Sequence, residues 1–189
     1  KLDITAYYTY LNQALVRRPF TLSGQDSILY NNELSQVQAV QNAAHATVFG
    51  VQFGFDWQFA NGFTLSSTLN LQNGEEELED GSLSPSRHAA PLFGITRVEF
   101  ENDQLSLQLY TQYSAAVTAE NPNVEERNKP YIYATNQQGR PYSPAWYTLN
   151  FKAMYRLDDH WSVTAGVENI SDQRYRPYSS GLVAPGRNV

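Results

Sequence analysis

Cysteine is absent from the 189 residues, and histidine occurs three times. The first absence removes disulfide staples and thiolate metal sites; the second leaves too few imidazoles for a histidine-rich metal centre. Long apolar runs are missing as well, since no stretch approaches the roughly 18–20 consecutive apolar residues that a membrane-spanning helix needs. Basic residues are scarce: 13 Lys and Arg stand against 19 Asp and Glu, for a formal net charge of −6. Neutralising phosphates needs a basic patch, and no cluster exceeds the Arg17-Arg18 pair, so nucleic acid is set aside as a partner. No basic segment followed by an apolar one opens the chain, which begins at Lys1 already inside an alternating stretch. Helical spacing is nearly absent; its nearest approach is "ELSQVQAVQNAA" at 33–44.

What is present is alternation. In "VFGVQFGFDWQF" at 48–59, Phe49, Val51, Phe53, Phe55, Trp57 and Phe59 share one face of a strand, while Gly50, Gln52, Gly54, Asp56 and Gln58 share the other. The same two-faced pattern predicts strands at about 2–12, 45–59, 63–73, 91–101, 104–113, 146–157 and 161–170, with a last one starting near Arg187. The stretch 91–101 is the least regular, because Phe93 and Ile95 fall on the face of Arg97 and Glu99; a bulge is expected there.

Connections sort by length. "ANG" at 60–62, "END" at 101–103 and "DDH" at 158–160 read as tight turns, whereas 13–44, 74–90, 114–145 and 171–186 are long and rich in Gly, Pro, Asn, Ser and charge. Short turns at one rim and long loops at the other are the arrangement of an antiparallel transmembrane barrel. Aromatic placement agrees with it. Trp57, Phe59, Phe63, Phe100, Tyr155 and Trp161 gather near the turn rim, and Tyr8, Tyr10, Phe49, Tyr113 and Tyr147 near the loop rim, with Leu, Val, Ala and Phe between them. Two girdles flanking an apolar band imply that the apolar faces meet lipid and that the faces rich in Gln, Thr, Ser and Asn line a hydrated lumen. A soluble sheet would also alternate, but it would hide the apolar face and charge the outer one.

The end of the chain carries a more particular pattern. "WYTLNFKAMYRLDDHWSVTAGVENISDQRYRPYSSGLVAPGRNV", 146–189, resembles the C-terminal end of TonB-dependent outer-membrane receptors through Gly166, Asn169, Ile170, Asp172, Tyr175, Pro185, Gly186, Arg187 and Asn188. "RHAAPLFG" at 87–94 and "KPYIY" at 129–133 are similar to stretches in Bacteroidetes-like members. The resemblance implies an all-β fold in which these seven to eight strands are a C-terminal fragment of a barrel of roughly 22 strands. It further implies a separate N-terminal plug, an inner-membrane TonB-type energy-coupling complex reached through that missing N-terminal region, and import of a scarce small-molecule nutrient across a bacterial outer membrane. Lipid and lipopolysaccharide would surround the barrel.

Candidate ligand-binding residues come from loops that mix aromatic and cationic side chains, a combination suited to a planar or anionic metal chelate such as a ferric siderophore. They are Arg127, Tyr131, Tyr133, Arg140 and Tyr142 within 126–147, and Arg176 and Tyr178 within 173–180. Tyr175 and Arg187, as members of the terminal pattern, are expected to be structural. The acidic run of Glu75, Glu76, Glu77, Glu79 and Asp80 lacks the spacing of a dedicated calcium loop, so no metal or other cofactor is assigned. His45, His88 and His160 fall at a strand start, a loop and a turn, with no nucleophile elbow, phosphate-cradling loop or zinc spacing, and an enzyme is not expected. Passive porins and adhesive barrels share the lipid band and stay open as alternatives, with a soluble ligand-binding barrel behind them.

Overall fold

The computed structural model describes residues 1–189 apart from Glu79, His88, Val124, Glu125 and Asn128, and it describes Ala14, Val16, Arg17, Arg18, Gln41, Asn42 and Ala43 by their backbone alone. The expectations for Glu79 and His88 therefore lie outside the described residues. Strands make up the regular structure: β1 (Leu2–Pro19), β2 (Ser27–Tyr30), β3 (Glu33–Gln36), β4 (Gln38–Ala60), β5 (Phe63–Glu77), β6 (Leu83–Pro85), β7 (Leu92–Glu101), β8 (Leu105–Ser114), β9 (Ala134–Thr135), β10 (Pro141–Tyr142), β11 (Trp146–Arg156) and β12 (Ser162–Val167). Among the described residues no helix is long and apolar enough to cross a membrane.

One antiparallel sheet runs β1-β4-β5-β7-β8-β11-β12, with β6 beside the end of β5. It is open, as a segment of a barrel wall is. Beyond β12 the backbones of Glu168 and Asn188 exchange two hydrogen bonds of 2.8 and 3.1 Å, where a further strand would begin. Two of the three tight turns are built by a side-chain oxygen. Asp158 Oδ1 accepts from the backbone N–H groups of His160 and Trp161 at 2.7 and 2.9 Å, and Asn102 Oδ1 does the same for Gln104 and Leu105 at 3.0 and 2.8 Å. Each side-chain oxygen stands in for a backbone acceptor, which lets the chain reverse in very few residues.

Register fixes the faces. Trp57, Leu65, Val98, Leu109, Phe151 and Val167 stand opposite one another across successive strands, and Phe63, Phe100, Leu107, Ala153 and Ala165 form the adjacent row on the same face. The other face has rows such as Asp56, Ser66, Arg97, Tyr110 and Asn150. The apolar rows are not packed under anything: Phe53 and Phe151 remain 38% and 37% exposed, and Leu69 and Leu107 are only half-buried. At the turn rim the rings of Trp57, Phe59, Phe63 and Phe100 follow one another at centroid separations of 5.6, 5.7 and 4.8 Å. Buried hydrophobic residues among those described are Ala44, Leu78, Val117, Tyr133 and Tyr178, all at the loop end. The sheet thus has an unshielded apolar face, and the compact packing sits above it.

Three expectations change. The segment 13–44 is not one continuous loop: Asn31 and Asn32, both with positive φ (49° and 65°), turn β2 into β3, and β4 has begun by Gln38. Consecutive left-handed residues make the primed turn that matches strand twist. No bulge occurs in β7, whose register is continuous against both neighbours. Register shifts fall instead in β1 between Leu11 and Leu15 and in β4 between Gln58 and Ala60. Strands β1, β4 and β5 also run beyond the expected 2–12, 45–59 and 63–73, because the backbones of 14–19 and 38–44 pair as a ribbon above the apolar band and 74–76 pairs with 46–48.

One close approach explains a small residue in the band. A Cβ on Gly94 would lie 2.6 Å from the Thr68 carbonyl oxygen and 2.7 Å from the Tyr113 hydroxyl, so the Tyr113 ring lies across the glycine and fills the space itself.

The face assignment makes neighbours in sequence behave oppositely. Leu109→Arg, at mid-height of the apolar face, should lower barrel stability by about 2–4 kcal/mol in bilayers, whereas Gln108→Arg on the other face should change it by no more than about 1 kcal/mol. Denaturant unfolding of the two variants in lipid vesicles checks this.

Candidate functional site

Above the band, three long loops join into one cap. Between β8 and β11 the chain folds back on itself: Val117 and Ser143 exchange backbone hydrogen bonds of 2.9 and 3.0 Å, and β9 and β10 form a small hairpin closed by Asn136, whose Oδ1 accepts from Gln138 and Arg140 N–H groups. Val117, Tyr133 and Tyr178 pack together with Ala90 and Ile132 around them. Polar groups complete the joint. The Glu126 carboxylate, 5% exposed, accepts hydrogen bonds from the Tyr133 hydroxyl at 3.0 Å and the Ser179 hydroxyl at 2.6 Å, tying 115–145 to 171–186. Fully buried Asn123 donates to Glu76 Oε1 at 2.9 Å and to the Pro85 carbonyl at 2.8 Å, tying the same loop to 74–90.

Two members of the acidic run are committed to partners. Glu76 pairs with Arg87 at 2.7 Å and Glu77 with His45 Nδ1 at 2.7 Å, so carboxylates that a formula would count as a cluster have separate partners. No grouping of residues suited to a metal ion occurs among the described residues.

The terminal pattern is a knot with a physical reason for each letter. Asn169 adopts a positive φ of 50° and is 4% exposed. Its Nδ2 donates to the Gln173 and Pro185 carbonyls, its Oδ1 accepts from Gln173 N–H, and its own N–H donates to Asn150 Oδ1 on the sheet. Asparagine is favoured here because it tolerates the left-handed region and carries both donor and acceptor. Asp172, also left-handed at φ 53°, accepts from the Arg187 backbone at 2.8 Å. A Cβ on Gly186 would fall 2.7 Å from that same Asp172 oxygen, so glycine alone fits without a shift. Arg187 Nε donates to the Ile170 carbonyl at 3.0 Å, and Tyr175 stacks on Trp146 at 4.2 Å.

Two cavities lie beside this cap and share Trp146. The inner chamber, about 510 Å³, opens on the hydrogen-bonding face of the sheet and is lined by the amides of Gln52, Asn70, Gln72 and Gln112 and by the rings of Phe93, Trp146 and Tyr178. The outer cavity, about 320 Å³, runs between Ile132, Ser143 and Val183 and carries Arg174 and Arg176 with the Trp146–Tyr175 stack.

Of the residues expected to bind ligand, Arg176 lines the outer cavity and Tyr178 the inner one. Arg127 and Arg140 are exposed, as is Tyr131, which lies against Gly181; Tyr142 is half-buried on β10. Tyr133 is 3% exposed with its hydroxyl committed to Glu126, so it frames the loops. Sequence reading did not assign Phe93, Gln112 or Trp146 to a site. Its signal for Phe93 was the pattern break at 91–101: an aromatic on a polar face marks a place where that face meets something other than water.

Residues 1–170 match the family model described as TonB dependent receptor-like, beta-barrel. The chain belongs to the TonB-dependent receptor family. Receptors of this family reside in the outer membrane of Gram-negative bacteria, take small nutrient ligands and interact with TonB, and this chain is an outer-membrane protein. Its fold is similar to that of the ferric enterobactin receptor PfeA from Pseudomonas aeruginosa (15% identity, TM-score 0.68, covering 98% of this chain and 27% of that one). It is similar as well to the copper transporter OprC (14% identity, TM-score 0.64, 98% and 27%) and to the siderophore receptor PiuA from Acinetobacter baumannii (15%, 0.57, 98% and 25%). The chain therefore spans about a quarter of the length of these structures. No curated protein matches it in sequence.

Burial raises the phenol pKa of Tyr133, reinforced by Tyr178 and the Glu126 carboxylate, and burial likewise raises that of Tyr178. The folded receptor keeps protons that the unfolded chain releases above the ordinary value of 10.0, so the cap should lose stability as pH climbs past that point; phenolate absorbance against pH reads it. Glu126→Ala leaves two hydroxyls without their acceptor, at a cost of about 1–3 kcal/mol. Loops 115–145 and 171–186 should then be cut faster by protease on intact cells, while barrel mobility on unheated gels stays unchanged.

Proposed function

We propose that this chain forms the C-terminal wall and outer mouth of an energised importer whose cargo is a scarce nutrient carried as a metal chelate, of which a ferric siderophore is the leading form. The observation that carries this reading is the pair of cavities under a joined loop cap: a ligand-sized chamber on the lumen face, with aromatic and cationic groups at its approach. A passive pore needs an unobstructed lumen and gains nothing from loops latched by buried hydrogen bonds. Arg174 and Arg176, for which no ion pair occurs among the described residues, and exposed Arg127, Tyr131 and Arg140 supply the first contacts, with Tyr142 beside them. Tyr133 and Tyr178 hold the loops in place around that path. The names of the similar structures support the same class, since PfeA is a ferric enterobactin receptor, PiuA a siderophore receptor and OprC a copper transporter.

Energy would come from an inner-membrane coupling complex acting through an N-terminal region outside these residues, and lipid and lipopolysaccharide would contact the two aromatic girdles. A passive porin or adhesive barrel would work without that coupling. Deleting the full receptor should abolish growth on one iron chelate, with haem and cobalamin as parallel arms, and deleting the coupling protein should abolish uptake of labelled cargo equally. Uptake that survives loss of coupling would favour the porin, and normal growth in every arm would remove the import reading.

A further inference from the structure

The two cavities differ in charge. Both guanidinium groups, Arg174 and Arg176, line the outer one. The inner chamber has no Lys, Arg, Asp or Glu among its described lining residues; its polar side chains are four primary amides with the hydroxyls of Thr68 and Ser114, and the rings of Phe93, Tyr113, Trp146 and Tyr178 supply most of the rest. Gln72 spends its amide on the Tyr7 hydroxyl and the Ala90 carbonyl, and Asn70 Oδ1 accepts from Tyr7, so Gln52 and Gln112 with the Asn70 donor are the amide groups that face an uncharged ligand studded with carbonyl, amide or hydroxyl groups.

Charge behind the walls points the same way. Glu126 accepts from Tyr133 and Ser179, the neighbour of chamber-lining Tyr178, and Glu76 is reached through Asn123. Both carboxylates help raise the Tyr178 phenol, after burial, which marks their negative field at the chamber wall. Arg97 stands one register row farther toward the turns, in the same row as Asp56. A polyanion entering the chamber would shed water, find no cation on the described lining and meet the Glu126 carboxylate behind the wall, Glu76 being paired with Arg87, a costly combination in a partly enclosed space.

Taking the chelate reading above as given, we infer that the inner chamber selects a net-neutral, hydrogen-bonding ferric chelate over a polyanionic one. Three hydroxamate groups neutralise a ferric ion, whereas three catecholates leave it a trianion, so the trishydroxamate class fits and the triscatecholate class does not. The outer arginines then serve as a vestibule that any chelate can touch, and discrimination happens past Trp146.

Calorimetric titration of the full receptor in detergent tests this with four probes: ferrichrome and ferric coprogen, both neutral trishydroxamates; ferric enterobactin, a trianionic triscatecholate; and maltoheptaose, a neutral sugar. At least one trishydroxamate should bind roughly tenfold or more tightly than ferric enterobactin. Gln112→Lys, at an exposed chamber position, should cut that preference by about tenfold, and Gln52→Lys gives the same readout should the first variant fold poorly. Ferric enterobactin binding as tightly as both trishydroxamates would overturn the inference and leave the chelate reading intact. Binding of maltoheptaose alone would keep selection for neutral ligands and overturn the chelate; binding of no probe would overturn both.

Discussion

Everything in this protein follows from the requirement that a sheet in hydrocarbon have every backbone group paired and every outward side chain apolar. Most rows of the main path meet it; in the row of Phe55, Ser67, Thr96, Thr111 and Leu149 the outward hydroxyls of Ser67 and Thr96 pair with each other at 2.8 Å instead. Phe53, Leu69, Leu107 and Phe151 face outward without protein cover, and the amide-bearing residues face the other way. No protein core covers those side chains, and in an outer membrane lipid would remove them from water, each gaining about 1.5–3 kcal/mol by doing so. The aromatic chain from Trp57 to Phe100 sets the lower limit of that layer, because rings with an apolar body sit well where hydrocarbon meets head groups.

Since the sheet has no core of its own, order above the membrane must come from the loops. It does so through few contacts: Glu126 with Tyr133 and Ser179, Asn123 with Glu76 and Pro85, and the Asn169–Asp172–Arg187 knot that anchors 171–186 to the sheet at Asn150. The joints at Glu126, Asn123 and Asn169 are buried and satisfied, which makes each of them costly to break, while the Asp172–Arg187 bond lies at the surface. Their arrangement holds Trp146 between two cavities and so couples the shape of the mouth to the terminal pattern.

The sequence made the wall legible because a strand has only two faces, and lipid on one side leaves a period of two that is hard to mistake. Tight turns were equally readable from Asn102, Asp158 and Gly62. The loops were less so. A ribbon of β1 and β4 above the band has no regular apolar alternation to announce it, and the Asn31-Asn32 turn lay inside 13–44, whose composition reads as one long loop. The loop site was half visible: cationic and aromatic composition located the mouth, but which tyrosine is buried and which exposed depends on contacts between segments far apart, as between Tyr133 and Tyr178. The chamber was signalled only by Phe93, out of phase with its strand.

The inverted arrangement can be measured directly, because a chain without cysteine accepts single spin labels cleanly. Labels placed one at a time along 48–59 of the full receptor in bilayers should report oxygen accessibility at Phe49, Val51, Phe53 and Phe55, and accessibility to a water-soluble nickel chelate at Gln52 and Asp56. Alternation with that phase is what lipid outside and water inside require. Labels at Val51, Phe53 and Phe55 that are shielded from oxygen, or the opposite phase along the strand, would contradict the account.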